Sequence, residues 1–299
     1  MARIPGAREL SQGMSYTASV PLDLARDEPT AAEPRPLVFR HKLATRIWHW
    51  VNAVAVVVML MSGLMIFNAH PRLYWGSYGA NFDKPWLEIQ ATPTIGYVQI
   101  GDARIDTTGV LGRFTRNGVS ETRAFPGWAT IPSDYNLALA RRWHLAFAWV
   151  LGVGLLAFLI ASLVNRHWKH DLTLSPAEIK PRHIWDDIKD HARLKFAVGD
   201  AALRYGILQK LSYIGVIFIL LPVLIGTGLT MSPGMNAAWP WLLDLFGGRA
   251  SARSLHFIAA AAMAGFIVVH IVLVSLTGPF NQVRGMIIGK IRLPKERAE

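Results

Sequence analysis

Four long apolar segments alternate with polar stretches along the chain. They run over Ile47–Phe67, Trp143–Val164, Leu211–Met231 and Leu255–Thr277. Each has the roughly 20 residues that a helix needs to cross about 30 Å of hydrocarbon. Backbone polar groups in lipid must be satisfied within their own segment, which favours helices. The pattern predicts an all-α integral membrane protein whose core is a four-helix transmembrane bundle.

The polar stretches set the expected domain boundaries. Residues 1–36 are rich in Pro, Ala, Asp, Glu and Arg and are predicted to form a flexible cytoplasmic tail, as are residues 293–299. Residues 37–292 form the transmembrane domain. It includes a long structured outer loop, residues 70–140, between the first two helices. A Gly-Asp pair at positions 101–102 of this loop predicts a two-residue β-hairpin turn.

Basic residues concentrate beside alternate ends of the apolar segments. Arg35, Arg40, Lys42 and Arg46 precede the first segment, and five basic residues follow Gly278. By the positive-inside rule, both termini of this multi-pass protein are expected in the cytoplasm. The topology accounts for the net charge of +11, so membrane lipid, and no nucleic acid, is expected as a partner.

Two histidines interrupt the last apolar segment. His256 and His270 are 14 residues apart, so on a helix they share a face and lie about 21 Å apart along the axis. His49 opens the first segment at the cytoplasmic depth, and His144 opens the second at the outer depth. The four imidazoles are therefore predicted to form two depth-matched pairs, His49 with His270 and His144 with His256.

The composition of the apolar segments narrows the chemistry of these pairs. No Asp, Glu, Lys or Arg lies within the segments, whereas proton relays and transporters generally require them. A zinc site requires three or four ligands. The chain has no cysteine, which excludes covalently attached haem and thiolate iron–sulfur clusters. Two imidazoles at one depth suit a six-coordinate, non-covalent b-type haem, so the two layers predict two bis-histidine haems.

Other residues near the pairs have alternative interpretations. Arg141, Arg142 and Arg253 on the outer side and Arg46 on the inner side are candidate partners for haem propionates, and equally candidate interfacial anchors. Gly63, on the face of His49, leaves room for a flat group or for helix packing. The histidines themselves would bond only to backbone groups in a haem-free membrane anchor or transporter, which remains an alternative.

These residues resemble the membrane cytochrome b subunits of bacterial formate dehydrogenases, nickel–iron hydrogenases and thiosulfate reductases, over roughly residues 38–292. In that family a histidine opens the first helix, another lies at the outer end of the second, and a pair 14 apart lies on the last, as here. The thiosulfate-reductase type is the most similar. The stretches that carry this likeness are His70–Gly76, Leu139–His144, Met231–Gly234 and Pro240–Arg249.

The resemblance implies a function. The chain would be a membrane-anchoring electron-transfer subunit of a bacterial inner membrane rather than a complete enzyme. It would carry electrons between the quinone pool and a periplasmic redox subunit, such as a molybdenum-cofactor enzyme. The alternative is a self-contained transmembrane reductase that passes electrons to a soluble acceptor.

The resemblance also implies a quinone site at the cytoplasmic end. In the formate-dehydrogenase relatives a Tyr-Asn-x-x-Gln-Lys stretch entering the third helix helps form the quinone pocket. The matching residues here are Tyr205, Gly206, Gln209 and Lys210. Gly206 replaces the asparagine and offers no side-chain amide. Tyr205 and Gln209 are therefore the candidate quinone contacts, and the alternative is that Gln209 and Lys210 only cap and anchor the helix.

Overall fold

The spanning helices are the main feature of the computed structural model, which describes residues 37–164, 174–175, 178–195 and 206–293. In this part of the chain four helices are long and apolar enough to cross a membrane. They are Leu43–Asn68 (α1), Leu137–Val164 (α2), the composite helix Ile207–Met231, and Arg249–Leu276 (α8). The predicted four-helix membrane bundle is confirmed. The predicted tails, except Leu293, lie outside the described residues.

All four spanning helices begin earlier than the apolar segments do. α1 begins at Leu43, α2 at Leu137, the composite helix at Ile207 and α8 at Arg249, one to two turns before the first apolar residue of each segment. Helical hydrogen bonds are made within the chain, and long basic side chains extend to water, so polar turns can prolong a helix past the hydrocarbon. The predicted histidines therefore lie inside the helices and not in their first turns, which corrects the expectation.

The third spanning helix changes its winding in the middle. Two α-helices, Ile207–Ile214 (α4) and Leu221–Met231 (α5), flank a π-helical turn over Gly215–Leu220. Pro222 has no N–H to donate to the preceding turn, and its ring crowds the carbonyl four residues earlier, so the backbone widens there. The widened turn lies on the N-terminal side of Pro222.

All four spanning helices contribute to one apolar core, with α1 packed on α2 and α5 packed on α8. Its buried members are Val56, Leu151, Leu155, Leu221 and Met263. Met263 is seven residues from each histidine of α8, so this core lies between the two histidine depths. Lipid is as apolar as these side chains, so close packing rather than exclusion from water holds the helices together.

The loop between α1 and α2 folds into β-structure. An antiparallel sheet takes the order β2 (Arg72–Leu73), β3 (Leu87–Ala91), β4 (Gly96–Ile100) and β5 (Ala103–Asp106), and β6 (Gly112–Arg116) pairs with β7 (Val119–Arg123). Ile100 faces Ala103 across the β4–β5 turn. The predicted two-residue turn at positions 101–102 is therefore confirmed, and so is the structured loop. We call this end of the bundle the sheet end.

A buried carboxylate stabilises the sheet from within. Glu88 is 8% exposed. It accepts hydrogen bonds from Arg72 Nε at 3.1 Å and from the Tyr97 hydroxyl at 3.0 Å. Burial and this hydrogen bond to Glu88 raise the pKa of Tyr97. A charge that loses its hydration needs such partners, so strands β2, β3 and β4 are held in one register.

The sheet is fastened to the beginning of α8. The Ser254 hydroxyl donates to the Tyr74 carbonyl at 2.6 Å and accepts from Trp86 Nε1 at 2.9 Å. One turn earlier, the Ser251 hydroxyl accepts from the Gly76 N–H at 2.7 Å. Each bond satisfies a loop group next to the helix that carries His256 and His270. The sheet and that helix therefore form one rigid unit.

The remaining elements lie at the two ends of the bundle. Short helices Pro233–Ala238 (α6) and Trp241–Leu245 (α7) connect α5 to α8, a 3₁₀ turn spans Gly127–Ala129, α3 is Pro181–Ala192, and α9 is Pro279–Ile288. Strand β8 (Lys290–Arg292) pairs antiparallel with β1 (Leu37–Phe39). This pairing joins the chain before α1 to the chain after α8. We call the end of the bundle that carries it the clasp end.

Gly248 gives a direct test of how tightly the sheet approaches α8. A Cβ there would lie 2.5 Å from Ser77 Cα, at a φ of +99°. Gly278 has nearly the same φ, +98°, with no atom within 4 Å of its Cβ position. We expect Gly278→Ala to lower the free energy of unfolding by about 1–2 kcal/mol through backbone strain alone. Gly248→Ala should lower it further, because Ser77 must also move.

The measurement is the thermal unfolding midpoint of both variants in the same detergent. Equal shifts in the two variants would contradict the close contact between Gly248 and Ser77.

Candidate functional site

The four predicted histidines meet in two pairs within the bundle. The ring centroids of His144 and His256 are 6.1 Å apart at an interplanar angle of 60°. Those of His49 and His270 are 6.3 Å apart at 51°. The first pair lies at the sheet end and the second at the clasp end. These are the pairs that the sequence predicts, while their role as metal ligands stays a prediction.

The ring separations suit one metal ion between each pair. A metal–imidazole bond is about 2 Å long and each ring adds roughly 1 Å, so two opposed ligands have centroids about 6 Å apart. Within the described ranges, no three or more His, Cys, Asp or Glu residues come together to hold a metal. A metal held by one such pair would need further ligands that arrive with it, as the porphyrin nitrogens of haem do.

Two hydroxyl residues contact the sheet-end pair. Ser62 Oγ lies 3.1 Å from His144 Nδ1, and Thr227 Oγ1 lies 2.9 Å from His256 Nδ1. Both hydroxyl residues are 0% exposed. The sequence analysis missed them because a lone Ser or Thr in an apolar helix is ordinary.

Each hydroxyl residue is followed by a glycine that adjoins the same histidine. A Cβ at Gly63 would lie 3.4 Å from His144 Cε1, and one at Gly228 would lie 3.5 Å from His256 Cε1. The room that was expected beside Gly63 therefore holds the edge of an imidazole. The two sites share a short sequence feature, Ser-Gly-Leu in the first helix and Thr-Gly-Leu in the third, which is too common in apolar helices to identify either residue by itself.

The clasp-end pair has a different environment. Phe266 stacks on His270 with centroids 5.9 Å apart, and Trp50 meets His49 edge-on at 5.2 Å. His49 Nδ1 is buried without a hydrogen-bond partner. Seven buried side-chain atoms of the described residues share this condition, and four of them lie close together in sequence. These four are His41 Nδ1, Arg46 Nε, His49 Nδ1 and Asn52 Oδ1.

The candidate propionate partners lie at the ends of the bundle. Arg253 is half-buried and donates to the carbonyl of His70 at the sheet end. Burial and the neighbouring Arg253 lower the pKa of His70. Arg46 donates to a carbonyl of α9 at the clasp end. Arg141 and Arg142 are exposed on α2. All four stay predictions as propionate contacts.

The candidate quinone residues are only partly covered by the structure. Tyr205 lies outside the described residues. Gln209 Nε2 donates to the Tyr213 hydroxyl at 2.8 Å. Lys210 Nζ lies 2.8 Å from a carboxylate oxygen of Glu178, and the hydrogen bond from Lys210 lowers the pKa of Glu178 to about 2. Lys210 therefore links the start of the third spanning helix to Glu178, and the quinone contacts stay a prediction.

One known family matches most of the chain. The model of prokaryotic cytochrome b561 matches residues 40–289, which contain both pairs and all four spanning helices. The chain belongs to the prokaryotic cytochrome b561 family. Membership implies b-type haem, electron transport and a location in a membrane. It also confirms the resemblance to bacterial cytochromes b that the sequence indicates.

Two relatives of this cytochrome chain match most of its length. One, from Azospira oryzae, is named as subunit YedZ1 of a protein-methionine-sulfoxide reductase and is 27% identical over 232 residues, 77% of this chain and 87% of the relative. The other, from Cupriavidus necator, is named as the B-type cytochrome subunit of a Ni/Fe-hydrogenase and is 21% identical over 252 residues, 82% of each chain. No solved structure matches the chain.

Proposed function

We propose that this cytochrome is a membrane-anchoring di-haem subunit that carries electrons between the quinone pool and a periplasmic oxidoreductase. The observation that carries the proposal is the presence of two facing imidazole pairs, with centroids 6.1 Å and 6.3 Å apart, at two depths of one bundle. A bound haem would supply reversible one-electron transfer at each pair. The chain itself is the support and the electron carrier, not a complete enzyme.

The residues between and around the pairs fit this role. His49 and His270 would hold one haem, and His144 and His256 the other, with the two histidines of α8 about 21 Å apart. The apolar core between the two depths excludes water and ions. Arg46 at the clasp end and Arg253 at the sheet end would pair with propionates, and the more exposed Arg141 and Arg142 would contact lipid head groups.

The sheet end is proposed to face the periplasm and bind the redox partner. The excess of basic residues at the clasp end supports this orientation in a bacterial inner membrane. Both relatives are named as subunits of an oxidoreductase, which supports a partner protein. The more specific proposal that this partner holds a molybdenum cofactor rests on the resemblance to the thiosulfate-reductase type.

A groove at the sheet end is the proposed docking surface. It has a volume of about 540 Å³, and its aromatic lining is Tyr74, Trp75, Tyr78 and Trp86. Trp86 bonds to Ser254, two residues before His256, so the groove adjoins the turn of α8 that carries the outer histidine. Partly exposed aromatic side chains are typical anchors of protein interfaces.

The clasp end is the proposed quinone site, beside His49 and His270. The four buried polar atoms without partners support a hydrogen-bonding ligand there, since such atoms normally have one. Tyr205 and Gln209 are the candidate contacts from the resemblance. Gly206 cannot replace the amide of the family's asparagine, and Asn52 is the nearest alternative amide in this cluster.

The first test concerns the two haems. We expect about two b-type haems per chain and a haem α band in the reduced-minus-oxidised spectrum. His144→Ala or His256→Ala should remove one spectral component, and His49→Ala or His270→Ala the other, because each haem loses an axial ligand. Each variant should retain about one haem, measured by pyridine haemochrome assay and redox titration.

The control for this test is His183→Ala, which removes an exposed histidine of α3 and should leave both haems in place. A wild-type protein without the α band would be a haem-free anchor. Loss of the same component in His49→Ala and His144→Ala would show that the pairing is wrong.

The second test concerns the docking groove. Replacement of the whole β4–β5 hairpin would remove the buried Tyr97, so point variants are better suited. Trp75 and Tyr78 are 52% and 88% exposed. Their double substitution by alanine should weaken partner binding by more than about tenfold, because exposed aromatic anchors contribute about 2 kcal/mol or more each. The measurement is co-purification of the partner in mild detergent.

The matched control is Trp185→Ala, which removes an equally exposed tryptophan, 59%, from α3. Both variants should keep wild-type haem spectra. Undiminished co-purification with the Trp75/Tyr78 double variant would place the partner on another surface.

The third test concerns the quinone site. A quinone-analogue inhibitor is titrated against haem reduction by quinol in wild type, Tyr205→Phe, Gln209→Ala and Arg253→Ala. Loss of one hydrogen bond of about 1–1.5 kcal/mol should weaken inhibitor binding about tenfold in Tyr205→Phe or Gln209→Ala. Arg253→Ala, at the sheet end, should leave inhibitor affinity unchanged. If affinity responds to Arg253→Ala alone, quinone binds at the sheet end instead.

A further inference from the structure

We infer that Ser62 and Thr227 are positioning residues for the sheet-end histidines. Each hydroxyl oxygen accepts a hydrogen bond from Nδ1–H, which directs Nε2 of the ring to the shared metal position and lowers the reduction potential of the haem that would be held there. This inference rests on the proposed function, and it assigns a role to two residues that neither the sequence pattern nor family membership singles out.

The direction of each hydrogen bond follows from a proton count. A hydroxyl has one proton to donate. Ser62 Oγ lies 2.6 Å from the Val58 carbonyl and 3.2 Å from that of Met59, and carbonyls only accept. Ser62 therefore uses its single hydroxyl proton in a hydrogen bond to a backbone carbonyl. Its Oγ must then accept the hydrogen bond from Nδ1–H of His144, 3.1 Å away.

The same count holds for the second hydroxyl. Thr227 Oγ1 lies 2.6 Å from the Val223 carbonyl and 3.2 Å from that of Leu224, so its proton is also used on the backbone. Thr227 Oγ1 must therefore accept the hydrogen bond from Nδ1–H of His256, 2.9 Å away. A neutral imidazole that is protonated at Nδ1 has its lone pair on Nε2. Both rings of the pair are thereby fixed in the tautomer that ligates through Nε2.

A glycine also adjoins each ring. An added Cβ would lie 3.4 Å from His144 Cε1 at Gly63 and 3.5 Å from His256 Cε1 at Gly228. Because glycine has no Cβ, the edge of each ring keeps free space beside the helix backbone. Ser62-Gly63 on α1 and Thr227-Gly228 on α5 thus act alike on the histidines of the helices packed against them.

The two hydroxyls give the sheet-end histidine pair a different hydrogen-bonding environment from the clasp-end pair. His49 Nδ1, at the clasp end, is buried and has no hydrogen-bond partner in the described part of the chain. A hydrogen bond that an imidazole donates from its far nitrogen makes the ligating nitrogen more basic. A more basic ligand favours the ferric over the ferrous iron, so the sheet-end haem should have its potential lowered by this interaction. Because Ser62 and Thr227 are 0% exposed, water cannot replace either hydroxyl.

The test compares Thr227→Val and Ser62→Ala with a control on the same helix. Thr230 is also 0% exposed, and its hydroxyl bonds the Gly226 carbonyl at 2.9 Å. Thr230→Val therefore removes a similar buried hydroxyl without touching a histidine bond. The readouts are the midpoint potential of each haem by redox titration, its electron paramagnetic resonance g values, and haem retention. His256→Ala identifies the sheet-end component.

We expect the sheet-end potential to rise in Thr227→Val and Ser62→Ala, while the clasp-end potential stays constant. Retention of the sheet-end haem should fall roughly 10- to 100-fold, the usual effect of losing a partner behind a metal ligand. Thr227→Ser should restore both properties, and Thr230→Val should change neither. If Thr227→Val loses the sheet-end haem and Thr227→Ser retains it, the result supports the inference.

Three results would overturn the inference while leaving the proposed function intact. They are an unchanged sheet-end potential in both hydroxyl variants, an equal shift in Thr230→Val, and haem loss that Thr227→Ser does not reverse. A wild-type protein without a haem ligated by His144 and His256 would instead refute the proposed function.

Discussion

An imidazole inside a bilayer must have both of its ring nitrogens satisfied, and this constraint organises the bundle. Water is absent at that depth, so each unpaired nitrogen carries the desolvation cost of a buried polar group. At the sheet end Nδ1 of each ring is bonded to a hydroxyl on a neighbouring helix, so Nε2 of each ring is left as an acceptor. Two acceptors at one depth cannot satisfy each other. The metal proposed between them would resolve this conflict, and haem binding and helix packing would then be coupled.

The same constraint explains why the sheet is attached to α8 rather than suspended from two flexible linkers. Ser254, which is fully buried, bonds both Tyr74 and Trp86. A rotation of α8 that displaced His256 would also break these bonds. The sheet therefore restricts rotation of α8 about its axis. A partner bound on the sheet would meet a surface at a fixed distance from the sheet-end pair. Electron transfer needs such a fixed short gap more than it needs high affinity.

The sequence alone was sufficient to predict features that depend on local spacing or on the depth of a residue in the membrane. The helices, the pairing of His49 with His270 and of His144 with His256, and the turn at positions 101–102 follow from spacing and charge. The roles of Ser62 and Thr227 could not be predicted in this way, because they depend on how α1 and α5 are rotated about their axes and on which rotamers the hydroxyls adopt. The clasp between β1 and β8 was also missed, since its three-residue strands come from opposite ends of the chain and carry no periodic signal. The early starts of α1, α2 and α8 show that polar turns extend a helix past the hydrocarbon.

The two ends of the bundle solve the problem of buried polarity in opposite ways. At the sheet end Nδ1 of both histidines is paired within the protein, which suits a cofactor that stays bound and exchanges only electrons. At the clasp end His41, Arg46, His49 and Asn52 keep buried atoms without partners among the described residues. Burial and the neighbouring positive charge of Arg40 lower the pKa of His41 to about 4, so it is neutral near pH 7 and able to donate or accept a hydrogen bond. Unpaired groups of this kind cost stability unless a ligand completes them. A ligand that enters and leaves, as a quinone does, needs groups that gain a partner only while it is bound, and this requirement supports the proposal of an exchangeable ligand at this end.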